Sequence, residues 1–333
     1  MKLVQIAMHH GNVMMKLAQN YSNLQAVIAE IVQNALDSDA SKITIAINMR
    51  QREVNVYDNG SGADDEKITL ALQSIGNSLK TKVEDEKNRR FGQFGLGLIS
   101  PISVCREFNF TTCPIARKDR YTTYSFVVKD IAQQEKVSIP SHVDTDLQLN
   151  PDGKIWWRTR VEMRGVTKDR RASHIELEEL HNDIVVKFGE EIRRRNTKID
   201  IILIKADGSK SEKTVTAPEF SGQKLDVFER VGVESGTVKV ELYLAQLTRG
   251  GRKGTITLGT FTNPSRISMK QFIDCTQKLL EPKVASALAS GIFEGRILCQ
   301  KVLLHTDRTR FENNDALFAL CEVLESWYKK VGE

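Results

Sequence analysis

The sequence predicts an α+β chain of two domains, and three observations carry that prediction. Its 333 residues are about twice a typical domain of roughly 150 residues. Residues 22–37 place apolar side chains at 24, 27, 28, 31, 32, 35 and 36, which is helical spacing. Two alternating runs follow at once, KITIAIN (42–48) and EVNVYD (53–58), which read as neighbouring strands joined around Met49–Arg52. Hydrophobic residues at 40% and charged residues at 27% match ordinary globular usage and exclude an intrinsically disordered chain.

The remaining elements follow in order. Residues 59–92 are polar and turn-rich and end in the glycine-rich stretch FGQFGLG (91–97). The apolar segment LISPISVC (98–105) leads to strand-like runs near 107–112 and 121–129. A polar loop or hairpin tip is expected over 130–158, where Pro140, Pro151 and Asp152-Gly153 are turn signals. A strand, TRVEM (159–163), precedes a helix over 174–195, for which Ser173 and Glu176 have capping-box spacing. IDIILIKA (199–206) reads as a buried strand ending at the Asp207-Gly208 turn. A β-hairpin is expected over 236–261 around RGGRKG (249–254), and a final helix over about 314–331. The polar stretch GSKSEK (208–213) sets the expected boundary, giving domains 1–212 and 213–333.

Charge and cysteine usage narrow the class. Forty-eight basic and 43 acidic residues leave a net charge of +5, which permits an anionic ligand or nucleic acid without requiring either. Basic clusters stand at Lys168–Arg171, Arg193–Arg195 and Arg249–Lys253, and solvated surface is their ordinary meaning. No run approaches the roughly 18 apolar residues of a membrane span, so no membrane partner is expected. The five cysteines are scattered without a CxxC pair, which points to reduced thiols in a cytoplasmic protein, with Cys105 and Cys113 buried.

Three motifs carry chemistry. Glu30, Asn34 and Asp37 stand at i, i+4 and i+7, within about 60° of one another around the first helix. A solvated helix face gives the same pattern. Asp58-Asn59-Gly60-Ser61-Gly62 follows a strand directly; it is either an ordinary turn or a carboxylate at a strand end, with glycines that let a flat ligand approach the backbone. Gly92 to Gly97 opens a helix whose exposed amides suit phosphate. The preceding segment is polar loop, so a Rossmann site is excluded, and no GxxxxGK[ST] is present.

In order and spacing, these elements together resemble the Bergerat-fold ATP site of the GHKL superfamily (gyrase B, heat-shock chaperones, histidine kinases, MutL). EIVQNALD (30–37) resembles its N-box, DNGSG (58–62) its first glycine box and FGQFGLG (91–97) its second. SIGNSLKTK (74–82) is similar to the lid-adjacent segment of the heat-shock chaperone and MORC branches, with Ser78 and Lys80 as its nucleotide-binding members. Thr159 resembles the threonine that supports the adenine-binding aspartate, although that strand usually reads Gly-Thr and Arg158 stands here. The resemblance covers roughly residues 20–206. It implies a Bergerat-fold α/β sandwich, a mixed sheet with helices on one face, followed by a smaller α/β transducer-like domain.

The resemblance also implies roles. Glu30 would be the general base that holds the attacking water, and Asn34 would bind Mg²⁺ through its amide oxygen. Asp58 would accept from the adenine amino group, with Gly60 and Gly62 against the base and Asp37 a supporting partner. The amides of Gly92, Gln93, Phe94, Gly95, Leu96 and Gly97 would cradle the phosphates of ATP. Residues 63–91, with six basic side chains, would form a lid that closes over the nucleotide. LHTDRTRF (304–311) resembles the MORC segment that delivers a cation to the γ-phosphate, which makes Arg308 the candidate, followed by Lys301 and Arg310.

The expected function is thus ATP binding and slow Mg²⁺-dependent ATP hydrolysis, with nucleotide-driven lid closure or homodimerisation acting on a macromolecular partner, DNA or a protein. The alternative is an ATP-sensing module or chaperone-like factor with little turnover. With only 29 residues before Glu30, a histidine kinase is not expected, and a chain of 333 residues stops short of the later regions of a chaperone, gyrase B or MutL.

Overall fold

A computed structural model describes residues 9–19, 21, 23–74, 96–117, 120–144, 155–166, 175–216, 220, 222–248, 251–252, 254–260, 267–276, 279–303 and 311–331. The chain divides into two compact units, residues 1–181 with 196–215, and residues 182–195 with 216–333.

The first unit is built on an eight-stranded sheet. Its strands are β1 (Lys42–Asn48), β2 (Glu53–Asp58), β3 (Glu107–Thr112), β4 (Tyr121–Val127), β5 (Ser141–Asp144), β6 (Thr159–Arg164), β7 (Lys198–Ile204) and β8 (Lys210–Val215). They lie in the order β5-β4-β3-β6-β2-β1-β7-β8. Only β1 and β7 pair in parallel; the other neighbours are antiparallel. Helices of this region are α1 (His10–Ala18), α2 (Leu24–Asp37), α3 (Asp65–Ser74), α4 (Leu96–Ile99), a 3₁₀ turn (Ser100–Ser103) and α5 (Val128–Gln133); α6 (Leu177–Arg195) spans both units.

Alternation sorts the strand residues onto two faces. Ile43, Ile45, Ile47, Val54, Val56, Val161, Met163, Ile199, Ile201 and Leu203 are buried on one face, and α2 packs on that sheet through β2. The opposite face carries Lys42, Thr44, Tyr57, Arg160, Asp200 and Thr214. All seven apolar positions read from 24 to 36 are buried in α2. Asn23 caps that helix by accepting from the Ala26 amide at 2.8 Å, a contact of the kind that contributes about 1 kcal/mol.

Three readings change. The polar stretch 208–213, read as the domain boundary, runs into edge strand β8, whose alternating polar residues face solvent while Val215 is buried. The polar run after Asp58 contains α3, held by Ile68 as its buried side chain and by the Asp64 carboxylate, which accepts from the Lys67 amide at 2.9 Å. The supposed loop over 130–158 holds the end of α5 and the short edge strand β5.

The second unit holds β9 (Gln223–Lys224), β10 (Phe228–Gly232), β11 (Gly236–Leu244), β12 (Leu247–Thr248), β13 (Gly251–Arg252), β14 (Ile256–Gly259), β15 (Ile267–Ser268) and β16 (Phe293–Cys299), with α7 (Met269–Thr276), α8 (Pro282–Ala289) and α9 (Asp315–Val331). The expected hairpin over 236–261 is corrected here. Strands β11 and β14 do not pair; β16 lies between them, antiparallel to β11 and parallel to β14. Among the described residues the two-residue ladder β12–β13 is what remains of the hairpin, because β16, much later in the chain, supplies the partner. Val238, Val240, Leu242, Ile297, Phe272, Leu320, Leu324 and Trp327 form the core of this unit.

None of the five cysteines forms a disulfide, and Cys105 and Cys113 are buried. Among the described residues, no helix is long and apolar enough to cross a membrane.

Candidate functional site

The site grows from three chain segments that meet on the helix-covered face of the first sheet. In α2, Glu30 is 6% exposed, an unusual place for a carboxylate, and Asn34 one turn later is half-buried. Gly97, the second residue of α4, sits against both. A Cβ placed on Gly97 would stand 2.7 Å from Asn34 Nδ2 and 3.0 Å from Glu30 Oε1, so this backbone lies close against the pair and a larger residue would have to displace them. Helix α4 has only four residues. It tightens into the 3₁₀ turn at Pro101, where the Ser100 hydroxyl donates to the Gly97 carbonyl at 2.9 Å. Asp37 points along α2 and accepts from the Gln33 amide at 2.8 Å.

The second segment follows β2. Asp58 closes that strand and is buried on the same face as Ile43 and Val56. Burial pushes its carboxyl up to about 7, while the Gly60 amide, donating to Oδ1 at 2.8 Å, pulls in the opposite direction. Asn59 Oδ1 accepts from the amides of Ser41 and Lys42, which fixes the turn against the start of β1. Gly62 has φ +65°, and a Cβ there would lie 2.1 Å from the Cys113 carbonyl oxygen. Both its dihedral and its contact therefore demand glycine.

The third segment is β6, with β3 beside it. Thr159 lies directly opposite Asp58 in the β2–β6 register and opposite Thr112 in the β3–β6 register. Arg158, which replaces the expected glycine, donates its amide to the Asp58 carbonyl at 2.7 Å, so the departure is absorbed by the backbone. Sequence reasoning missed Thr112, whose Oγ1 accepts from the Ala63 amide at 2.9 Å and ties the glycine turn to β3. Only the strand order reveals that contact.

Glu30, Asn34 and Gly97 thus converge, as do Asp58, Gly60 and Thr159, while Gly62 lies against Cys113. Leu96 opens α4 beside Gly97. Ser78, Lys80, Gly92, Gln93, Phe94, Gly95, Arg308 and Arg310 lie outside the described residues, as does most of the expected lid. Lys301 is described in the second unit, where its ammonium donates to the Val233 carbonyl at 2.6 Å. Of the basic clusters, 168–171 and residues 249, 250 and 253 also lie outside. Arg193–Arg195 occupy the last turn of α6, where cations suit the helix dipole. Among the described residues no group of three His, Cys, Asp or Glu could hold a metal.

Residues 21–151 match the family described as histidine kinase-, DNA gyrase B-, and HSP90-like ATPase. Over this segment the chain is similar to the GHKL ATPases, and the first unit has the mixed sheet and helices of a Bergerat fold, followed by a second α/β unit. Curated relatives include the DNA mismatch repair protein MutL of Streptococcus sanguinis, 32% identical over 126 residues that make up 37% of this chain and 19% of that protein. MutL of Aliivibrio fischeri is 31% identical over 102 residues, or 30% of this chain and 15% of that protein. The chain therefore spans less than a fifth of the length of these relatives in the matched segments. They belong to the MutL branch, whereas residues 74–82 and 304–311 suggested the chaperone and MORC branches. A crystal structure described as the N terminal domain of a DNA repair protein shares the fold across 96% of this chain and 97% of its own, with a TM-score of 0.56 at 13% identity.

Proposed function

We propose that the chain binds ATP with Mg²⁺ and hydrolyses it slowly, and that nucleotide-driven lid closure or homodimerisation acts on a macromolecular partner. The observation that supports this reading is the close approach of Gly97 to Glu30 and Asn34, which sets a buried carboxylate and an amide beside the end of the glycine-rich stretch 92–97.

Each group has a physical task. Glu30 holds and polarises the attacking water as general base. Its enclosure keeps that water oriented, and a carboxylate needs only hydrogen-bond reach to act. Asn34 offers one amide oxygen beside a single carboxylate. That sparse donor set fits Mg²⁺, which keeps several waters and takes phosphate oxygens, and does not fit an ion that needs a protein cage. Mg²⁺, when bound, neutralises charge that develops on the phosphates.

At the other end, Asp58 accepts from the adenine amino group and Thr159, its cross-strand partner, supports it. Gly60 and Gly62 leave the base room against the backbone. The amides of 92–97 cradle phosphate, Ser78 and Lys80 belong to the closing lid, and Arg308 supplies positive charge to the γ-phosphate from the second domain, 213–333. Asp37 braces α2 through Gln33. The partner is DNA or a protein; the relatives' description as DNA mismatch repair proteins favours DNA.

The test measures ATP turnover and gel-filtration mass, with and without DNA, for the native chain, Glu30→Ala and Arg308→Ala. Turnover that disappears in Glu30→Ala while ATP still binds supports the reading. Tight ATP binding without turnover in the native chain identifies the sensing module instead, and no ATP binding at all ends both.

A further inference from the structure

The sheet of the first unit has a second site on its other face. A cavity of about 590 Å³ opens there, within the range of small-ligand pockets. Its floor is one continuous row of cross-strand partners, Arg160, Tyr57, Thr44, Asp200 and Thr214, from β6, β2, β1, β7 and β8. Trp156 and Trp157, just before β6, add indole surface, with their rings 6.3 and 5.9 Å from that of Tyr57.

The cations on this face are unevenly satisfied. Lys198 meets Asp200 at 3.0 Å, and Lys213 is hydrogen-bonded to Glu178. Lys42 forms no ion pair with a described residue; its ammonium instead lies 4.3 Å from the centre of the Trp156 ring. Arg160 reaches Glu162 through one terminal nitrogen at 3.5 Å, and its buried Nε has no hydrogen-bond partner among the described residues. Its guanidinium lies 5.5 Å from the Trp157 ring. An orphaned buried donor is costly unless a ligand or water completes it. Two under-satisfied cations, each against an indole, match an anionic group attached to a flat ring.

We propose that this cavity binds a small molecule with a planar ring and an anionic substituent, the ring against the Trp156 and Tyr57 surfaces and the anion met by Lys42 and Arg160. It is separate from the adenine pocket: Tyr57 and Arg160 face away from Asp58 and Thr159, their neighbours in the same two strands. The inference does not depend on ATP turnover.

The chain has three tryptophans; two line this cavity and Trp327 is buried in the core of the second unit. Intrinsic fluorescence therefore reports on the site. The full chain is titrated with uridine 5′-monophosphate, whose ring lacks the amino group that Asp58 would recognise, and separately with uridine and with inorganic phosphate. The expected result is saturable quenching by the nucleotide, at least about tenfold weaker with either fragment. Lys42→Met and Arg160→Gln are expected to weaken it by about fivefold or more, and Asp58→Asn to leave it unchanged. The proposal is overturned by no saturable change up to about 10 mM, by equal affinity in both cation variants, or by loss in Asp58→Asn. Quenching by an oligonucleotide without any by the mononucleotide also overturns it, in favour of a strand-binding face. Melting curves accompany each variant; if Arg160→Gln does not fold, the half-buried Lys42 carries the test alone.

Discussion

The two faces of the eight-stranded sheet show how one set of strands serves two chemistries. Toward the helices, β1, β2, β6 and β7 present isoleucine, valine and methionine, and two carboxylates, Glu30 and Asp58, are enclosed among them. Away from the helices the same strands present lysine, threonine, tyrosine, arginine and aspartate, largely arranged in ion pairs. An enclosed carboxylate is expensive to ionise and its removal alters chemistry; an ion pair near water contributes little and can be lost cheaply. The difference teaches that burial, rather than charge as such, decides which acidic residues matter here.

Substitutions can break or sharpen that contrast. The largest expected effect is Glu30→Ala, which should lower ATP turnover by about 10²–10⁴-fold in steady-state assays while circular dichroism remains native. Equal turnover would remove the reason for a carboxylate at that enclosed position. Next comes Gly62→Val. The new side chain would meet the Cys113 carbonyl and impose φ +65° on a branched residue, so denaturant melts should show a loss of about 3 kcal/mol or more.

Asp58→Asn is smaller, with ATP affinity expected to fall by roughly tenfold in calorimetry. The native chain adds a pH signature. With the Asp58 carboxyl raised to about 7, the apo site is protonated below that value and ionised above it, so ATP affinity should rise as pH increases through about 7. Stability should move in the opposite sense. The folded chain holds the extra proton between the ordinary 3.8 and about 7, so this group's stabilising contribution is complete below 3.8, declines as pH rises and is gone above about 7. Asp58→Asn should abolish both slopes. Smallest is Lys198→Ala on the open face, expected within about 0.5 kcal/mol of the native melt, because its partner Asp200 keeps the hydrogen bond from Thr214. A loss comparable to that of Gly62→Val would erase the contrast between the faces.

What the sequence made legible follows the same division. The apolar spacing of α2 and the alternation of β1 and β2 are strong because one face of each is buried, and their observed bounds fall within two residues of the reading. The motifs drew attention to Glu30, Asn34, Asp58, Gly62 and Gly97, which the structure places at a buried helix position, a strand end or a close backbone contact. Strand β8 escaped because an edge strand with solvent on one face alternates lysine, serine and glutamate much as a linker does. Pairing was hidden for a different reason. Nothing near residues 236–261 indicates that Phe293–Cys299 will separate β11 from β14, and nothing near Asp58 announces Thr112. Both are facts of long-range topology.

The parallel ladder of the first sheet, β1 with β7, has a consequence for how the molecule is made. Lys42 pairs with Lys198, so β1, an interior strand of the sheet, emerges from the ribosome about 150 residues before its partner. Until then β1 has a neighbour only on the β2 side, and its other edge is an open template of unpaired amides and carbonyls. Completion of the sheet is therefore a late, loop-closing event that depends on distant residues and favours slow folding. A chain interrupted before β7 would expose that edge next to the strand that carries Asp58, and such fragments are expected to aggregate.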